Sequence, residues 1–363
     1  MKIGIVGLPL SGKTTLYNAI TGAHVDTAAF MGGKTEAHQS VVHVPDERLE
    51  KLNAIFVPQK KTPANINYID LAGLNPGEQK KGGFSDNFLG LIRTVDAILV
   101  VVRVFEDENI PHPQNSIDPK RDIDLVESEF IISDLSIIEN RMHRLQKQLK
   151  VKKDDHDVRE YALLEKYKAF LEDEKPLRLL DIPHDEELMI RGYQFLTLKP
   201  LIIAVNISET DIGNEKKIIE SFQDRMNQKK CTVIAISAQI EMEIQQLSEE
   251  EAKTFRDDLG IEFSAMDKLI RTSYELLGLV SFFTVGSDEV RAWTVEKNTH
   301  APQAAGAIHT DFERGFIRAE IVFYDDFIER GTMAKCKSDG LVRLEGKDYI
   351  VKDGDIINFR FAI

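Results

Sequence analysis

The sequence is poor in several features that would have assigned it to a class at once. It holds only two cysteines in 363 residues, Cys231 and Cys336, far apart and without the spacing of partners. That argues against a disulfide framework or a cysteine metal site and leaves buried free thiols in a reducing compartment as the expectation. Nowhere is there a run of about 18 apolar residues, so no membrane helix is expected. The apolar stretch Ile3-Gly4-Ile5-Val6 after Met1 is too short for a secretory core, which makes the cytoplasm the expected location. Positive charge is in deficit, with 46 Lys and Arg against 60 Asp and Glu and a net charge of −14. An acidic surface repels polyphosphate backbones, which argues against wholesale coating of DNA or RNA and leaves a local basic patch as the expected form of any nucleic-acid contact. Low-complexity tracts are missing as well, and the whole length is expected to fold into two or three units.

What is present begins with an alternation of short apolar runs and helix-like stretches. Lys2 to Val6, Ile66 to Ile69 and Ala97 to Val102 read as strands of a parallel sheet covered on both faces. Leu201 to Val205 and Thr232 to Ile236 read as two further buried strands, joined by a helix over Lys216 to Gln228. They follow only after a long interruption, so this α/β domain is expected to be split, 1–127 and 196–278. The insertion, 128–195, has the period of a helix. Ile131, Leu135, Ile138, Met142, Leu145 and Leu149 form one seam, and after a charged break Leu163, Tyr167 and Phe170 answer it. Arg141, Arg144, Lys147, Lys150, Lys152 and Lys153 fall near the tip of this helical pair with no acidic residue between them. Such a cluster is either a solvated helix end or a local contact for nucleic acid. From residue 279 to 363 the texture is that of a small α+β module. Phe282 to Val285, Val290 to Val295, Ile317 to Val322 and Asp348 to Phe361 read as strands, the last with a turn at Asp353-Gly354-Asp355.

One motif carries clear chemistry. Gly7-Leu8-Pro9-Leu10-Ser11-Gly12-Lys13-Thr14 fits G-x-x-x-x-G-K-[ST], directly after a buried strand and before a helix over Thr15 to Thr21. Glycines let backbone N–H groups turn inward around phosphate oxygens, and the helix N-terminus adds its positive dipole end. Leu10, Ser11, Gly12, Lys13, Thr14 and Thr15 are therefore expected to bind a nucleoside triphosphate. Lys13 would reach the β and γ phosphates as a catalytic point charge, and the Thr14 hydroxyl would ligate Mg²⁺. Asp70-Leu71-Ala72-Gly73 closes the strand at Ile69. Asp70 would hold the same ion through water, and the Gly73 N–H would meet the γ phosphate. Leu74 stands where many GTPases carry a water-orienting glutamine, which predicts a slow switch rather than an efficient engine.

On the base side, Asn206-Ile207-Ser208-Glu209 occupies the place of the guanine reader N-K-x-D, with Ile for Lys and Glu for Asp. The extra methylene of Glu209 shifts its acceptor by about 1.5 Å, enough to spoil the bidentate pair a guanine requires. Ser237-Ala238 matches the other base-contacting turn. An adenine- or purine-tolerant site is expected from Asn206, Ile207, Glu209, Ser237 and Ala238.

Taken together, these residues resemble the YchF / Obg-like ATPase family of translation-factor-class P-loop proteins. The resemblance spans nearly the whole chain. It rests on the variant Asn206 to Glu209, Leu74, Val44-Pro45-Asp46-Glu47-Arg48-Leu49, Val102-Arg103-Val104-Phe105-Glu106 and Ser237-Ala238-Gln239-Ile240-Glu241. It continues through Arg291-Ala292-Trp293-Thr294, Gly306 to Phe312 and Leu344 to Tyr349. It implies a G domain, an inserted coiled coil and a C-terminal TGS domain. It also implies Mg²⁺-dependent ATP hydrolysis with GTP accepted, and a ribosome or ribosomal RNA as partner. Ile110-Pro111-His112 looks like the family's catalytic-histidine loop and nominates His112 to orient water. Three departures stand out. Leu10 replaces the family's usual Asn, which removes the side chain that helps hold a monovalent cation in related GTPases. Lys34 takes the place of the switch threonine that ligates Mg²⁺, with Thr35 one residue later as the candidate ligand. Ala37 and His38 replace a Pro-Asn pair. The alternative to a slow hydrolase is a non-hydrolysing, nucleotide-dependent binding module.

Overall fold

The computed structural model describes residues 1–23, 25, 38–71, 84–261 and 264–362. Its first sheet is assembled from the apolar runs read as strands. β1 (Lys2–Val6), β2 (His38–His43), β4 (Asn65–Asp70), β5 (Ala97–Arg103), β6 (Leu201–Asn206) and β7 (Cys231–Ile236) stand in the order β2-β4-β1-β5-β6-β7. β1 pairs in parallel with β4 and β5, and β5–β6 and β6–β7 are parallel too. Every residue of β5 and of β6 is buried, because helices cover both faces of such a sheet and leave no polar side. The core beneath runs through Val100, Ile203 and Val205 to Ile92 and Phe130.

The helices α1 (Lys13–Thr21), α2 (Glu47–Phe56), α3 (Asp86–Arg93), α4 (Pro119–Val151) and α5 (Asp155–Glu172) follow in the chain. α4 starts at Pro119, ahead of residue 128. Asp118 caps it by accepting from Arg121 N–H, and Pro119 enters the first turn, where its missing N–H costs nothing. Ile131, Ile138 and Leu145 pack against Leu163, Tyr167 and Leu171 of α5, with Leu135, Met142 and Phe170 half-buried at the edges. α6 (His184–Ile190) leads the chain back to β6. The helix expected over Lys216 to Gln228 is broken into α7 (Glu215–Glu220) and α8 (Gln223–Met226). Phe222 stands at the break and is buried in the core, 2% exposed, with Ile218 and Ile219 packed against the same cluster.

By contact, the chain divides into two compact units, Met1–Ser40 with Asn67–Met266 and Val41–Ile66 with Asp267–Ile363. The sequence-based division runs the first segment to residue 127 unbroken, whereas here residues 41–66 fold with the C-terminal part. β3 (Lys60–Thr62) is the reason. It extends a second sheet whose other strands are β8 (Leu279–Val285), β9 (Glu289–Glu296), β10 (Phe316–Phe323), β11 (Arg343–Glu345) and β12 (Asp355–Phe361). Their order is β11-β10-β12-β8-β9-β3, with β3 parallel to β9 and Thr62 Oγ1 donating to Glu289 at 2.6 Å. Arg48 at the start of α2 bridges Asp46 and Asp353, and Phe56 at its end stacks on Phe327. The strand expected from Asp348 begins only at Asp355. Ahead of it the backbone turns: Val351 N–H donates to Thr299 O, Gly354 N–H to Ser281 O and Lys352 N–H to the Asp355 carboxylate, while Asp353 accepts from Ser281 N–H on β8. His309 caps the short helix after it by accepting from Asp311 N–H. Both cysteines are free and buried. Among the described residues no helix is long and apolar enough to cross a membrane.

Candidate nucleotide site

The site lies where parallel strands present their carboxyl ends, the usual place for a ligand in a sheet of this kind. β1 runs out at Val6 and the chain turns sharply. Gly7 has φ +151°, and a side chain there would collide with the Val101 carbonyl on the neighbouring strand. Gly12 has φ +94° at the entry to α1, where a Cβ would run into the Asn206 amide. Both glycines of the motif are thus required by backbone geometry. Leu10 also adopts a left-handed conformation, φ +63°, with its side chain half-exposed.

Lys13 is buried at the mouth of the loop, where its ammonium donates to the Leu8 carbonyl at 2.7 Å. Burial pushes its pKa down to about 8, and the negative charge of Asp70 opposes the shift. Thr14 Oγ1 donates to Asp70 Oδ2 at 3.1 Å. Asp70 reaches this point because β4 lies parallel to β1 with Asp70 level with Ile5. Ser11 Oγ is buried without a hydrogen-bond partner among the described residues. The loop thus brings together a desolvated cation, a hydroxyl and a carboxylate, with the first N–H groups of α1 beside them.

On the far side a pocket of about 350 Å³ opens between Leu10, Phe105, Ile110, Asn206, Glu209 and Ser237. Asn206 braces it: its Nδ2 donates to Ser11 O at 3.0 Å and its Oδ1 accepts from Ala238 N–H at 3.1 Å. The same amide therefore joins the phosphate loop to the turn at Ser237-Ala238. Ile207 is buried and its N–H bonds to Ile236 O, whereas Glu209 stands exposed at the rim. Thr15 also lines the pocket.

Sequence reasoning assigned no role to the arginine that ends the apolar strand β5. Arg103 is 2% exposed and level with Asn206 on β6. Its Nε donates to Phe105 O and its Nη1 to Ile110 O, each at 2.8 Å, while the guanidinium lies 4.8 Å from the Phe105 ring centroid. It folds residues 104–110 into the wall that faces Asn206 and Glu209. The signal was available in the sequence, since a cation closing a wholly apolar strand must find partners nearby.

His112 is placed apart from this pocket. Its Nε2 meets Asp122 Oδ2 at 2.9 Å, and its Nδ1 accepts from Gln114 N–H at 3.2 Å, with the ring 8% exposed. Gly73, Leu74, Lys34, Thr35 and Ala37 lie outside the described residues.

Fold and loop together define a P-loop nucleoside triphosphatase of the GTPase type. Two family models agree, one described as a 50S ribosome-binding GTPase over residues 2–141 and one for the C-terminal part of YchF GTPases, described as a protein of unknown function, over 279–362. The ribosome-binding ATPase YchF of Bacillus subtilis is 43% identical, with all of both chains covered. Obg-like ATPase 1 of Gallus gallus is 39% identical over 99% of this chain and 92% of its own. The solved structure of the Schizosaccharomyces pombe YchF GTPase superposes with a TM-score of 0.87 at 34% identity, covering 99% of this chain and 97% of that one. The chain belongs to the YchF/Obg-like ATPase family.

Proposed function

We propose that the chain is a slow Mg²⁺-dependent ATPase switch that accepts GTP and acts with ribosomes in the cytoplasm. The observation that carries the hydrolase reading is the buried group of Lys13, Thr14 and Asp70 at the entry to α1. Lys13 places one positive charge beside the phosphate tail, and burial holds its pKa below the ordinary lysine value. Thr14 and Asp70 offer hard oxygens 3.1 Å apart and buried, a donor pair suited to Mg²⁺ directly and through water, with Thr35 as a further candidate. Bound there, the ion would offset negative charge on the β and γ phosphates. The Gly73 N–H is proposed to meet the γ phosphate, and His112 to orient the attacking water, since Leu74 cannot.

The ATP preference rests on the rim. Glu209 stands where a guanine reader needs an aspartate, and the wall built by Phe105, Ile110 and Leu10 offers any purine an apolar face. Titration of ATP and GTP against the Mg²⁺-loaded protein tests this, and a tenfold preference for GTP would reverse it. The ribosome reading draws on the bacterial relatives, which are ribosome-binding ATPases, and on the arm. Arg141 is engaged by Glu160, but Arg144, Lys147, Lys150, Lys152 and Lys153 make no ion pair among the described residues. Co-sedimentation at two salt concentrations tests it. Binding through these cations weakens steeply with salt, and absence of binding with every nucleotide rejects the partner.

A second reading, a binding module that turns over no nucleotide, is favoured by His112, whose two ring nitrogens are already engaged. Single-turnover hydrolysis separates the two: activity in the parent that drops strongly in His112→Ala supports the enzyme, and activity no greater than buffer supports the module.

A further inference from the structure

We infer that Asp122 is a positioning residue for His112, holding the imidazole in a closed arrangement from which it must be released before it can act on water. The inference rests on the proposed role of His112 and goes beyond it by naming what restrains the ring. The Gln114 N–H can be accepted only by an unprotonated Nδ1, so the proton sits on Nε2 and points at Asp122 Oδ2, 2.9 Å away. In that tautomer neither nitrogen has a donor or an acceptor left for a water molecule. The hold is well built. Asp122 is 2% exposed, and its other oxygen accepts from Arg121 Nε at 3.1 Å and Nη2 at 2.8 Å, which fixes the carboxylate. Arg121 is fixed in turn through the Ser116 hydroxyl and carbonyl, both at 2.7 Å. The loop between is tied off by Asn115 N–H on the His112 carbonyl, with Asn115 at φ +57°.

Asp122 belongs to the opening turns of α4, the helix that carries the basic residues at its other end. A displacement of the start of α4 therefore parts the carboxylate from the ring, and the loop 104–118 is left to carry His112 elsewhere. In such an equilibrium the open fraction sets the rate, and weakening the closed state raises that fraction in proportion until it saturates.

The test uses the full chain with ATP and Mg²⁺ in single-turnover conditions. Asp122→Ala removes the hold, and Asp122→Asn retains the shape while losing the charge that strengthens the bond, which guards against an Ala variant that fails to fold. The expected result is a rise in hydrolysis of about threefold to tenfold in Asp122→Ala and a smaller rise in Asp122→Asn. Adding His112→Ala to either should return activity to the level of His112→Ala alone, a dependence that mere loosening of the fold would not produce. Nitrogen-15 shifts of the His112 ring should move from a protonated Nε2 towards mixed tautomers in both variants. Folded Asp122 variants that hydrolyse ATP at or below the parent rate, while His112→Ala is impaired, would overturn the holding role alone. If His112→Ala hydrolyses as fast as the parent, the role of His112 falls and this inference falls with it.

Discussion

Two buried polar groups in the same unit show how differently a protein treats an anchor and a site. At the root of the helical arm, Asp134 of α4 is 0% exposed and saturated. It accepts from Arg93 Nη1 at 2.8 Å, Leu196 N–H at 3.1 Å, Thr197 N–H at 2.9 Å and the Thr197 hydroxyl at 2.8 Å. At the phosphate loop, Lys13 is almost as deeply buried but, among the described residues, its ammonium donates to one carbonyl alone, and the Ser11 hydroxyl beside it has no partner. Burial of a charge is tolerable only when partners offset the lost hydration. Asp134 has them inside the chain, where they fasten α3, α4 and the segment before β6 together. Lys13 is left short of them, and a triphosphate is the partner whose charge and oxygens fit the deficit.

If that contrast is right, equal truncations should have unequal consequences. The largest effect is expected from Asp134→Ala, which removes the charge facing the Arg93 guanidinium and leaves two buried backbone N–H groups and the Thr197 hydroxyl without their acceptor. A loss of about 3–5 kcal/mol in unfolding free energy is expected, with nucleotide affinity of the folded fraction unchanged. Chemical denaturation and nucleotide titration on the same sample measure both, and a loss below about 1 kcal/mol would remove the distinction. Lys13→Ala should do the reverse. ATP affinity should fall by about 100-fold or more, while the nucleotide-free protein loses no stability at neutral pH, since the substitution removes a buried charge and breaks no internal network. Lys13→Ala binding ATP as tightly as the parent would reject the site altogether.

A smaller effect follows from the Lys13 pKa of about 8, against an ordinary value of 10.5. Below pH 8 the ammonium is charged in both folded and unfolded chains, and the folded state bears the full burial cost. Between pH 8 and 10.5 the folded state gives up the proton and the unfolded state keeps it, so stability rises with pH across that window. In chelator-treated, nucleotide-free protein, the parent should therefore gain stability relative to Lys13→Ala from pH 8 upward, the opposite of what a paired lysine would show. A flat difference between the two proteins over that range would mean that Lys13 is solvated.

Local signals made the loop and most strands legible, because both are patterns of neighbouring residues. A buried strand is a short apolar run, and the phosphate loop needs its glycines at fixed offsets from a strand end. The parts that were not legible depend on partners distant in sequence. Nothing in Lys60-Lys61-Thr62 announces a strand, and its pairing with Glu289 to Arg291 supplies the order that its own composition does not. Arg103 and His112 were visible as residues, but their tethers, the carbonyls of Phe105 and Ile110 and the carboxylate of Asp122, are choices made by the folded loop. Asn206 was read as a base contact, and its place in the fold adds a brace between Ser11 and Ala238 that no spacing rule contains.

The smallest effect concerns Leu10, where the contrast between anchor and site reaches the backbone. At φ +63° a leucine meets the steric penalty of the left-handed region, while asparagine, the usual residue in this family, is more at ease there. The side chain is 51% exposed, so little burial offsets the strain. Leu10→Asn should therefore raise stability by about 0.5–1 kcal/mol, read as a shift of the denaturation midpoint without a change in slope. ATP affinity should hold within about threefold, because the N–H groups that meet phosphate keep their directions. Should Leu10→Asn instead lower stability, the leucine is fastened by contacts on the pocket wall, and the loop would belong with Asp134 among the anchored parts rather than with Lys13 among the groups kept for a ligand.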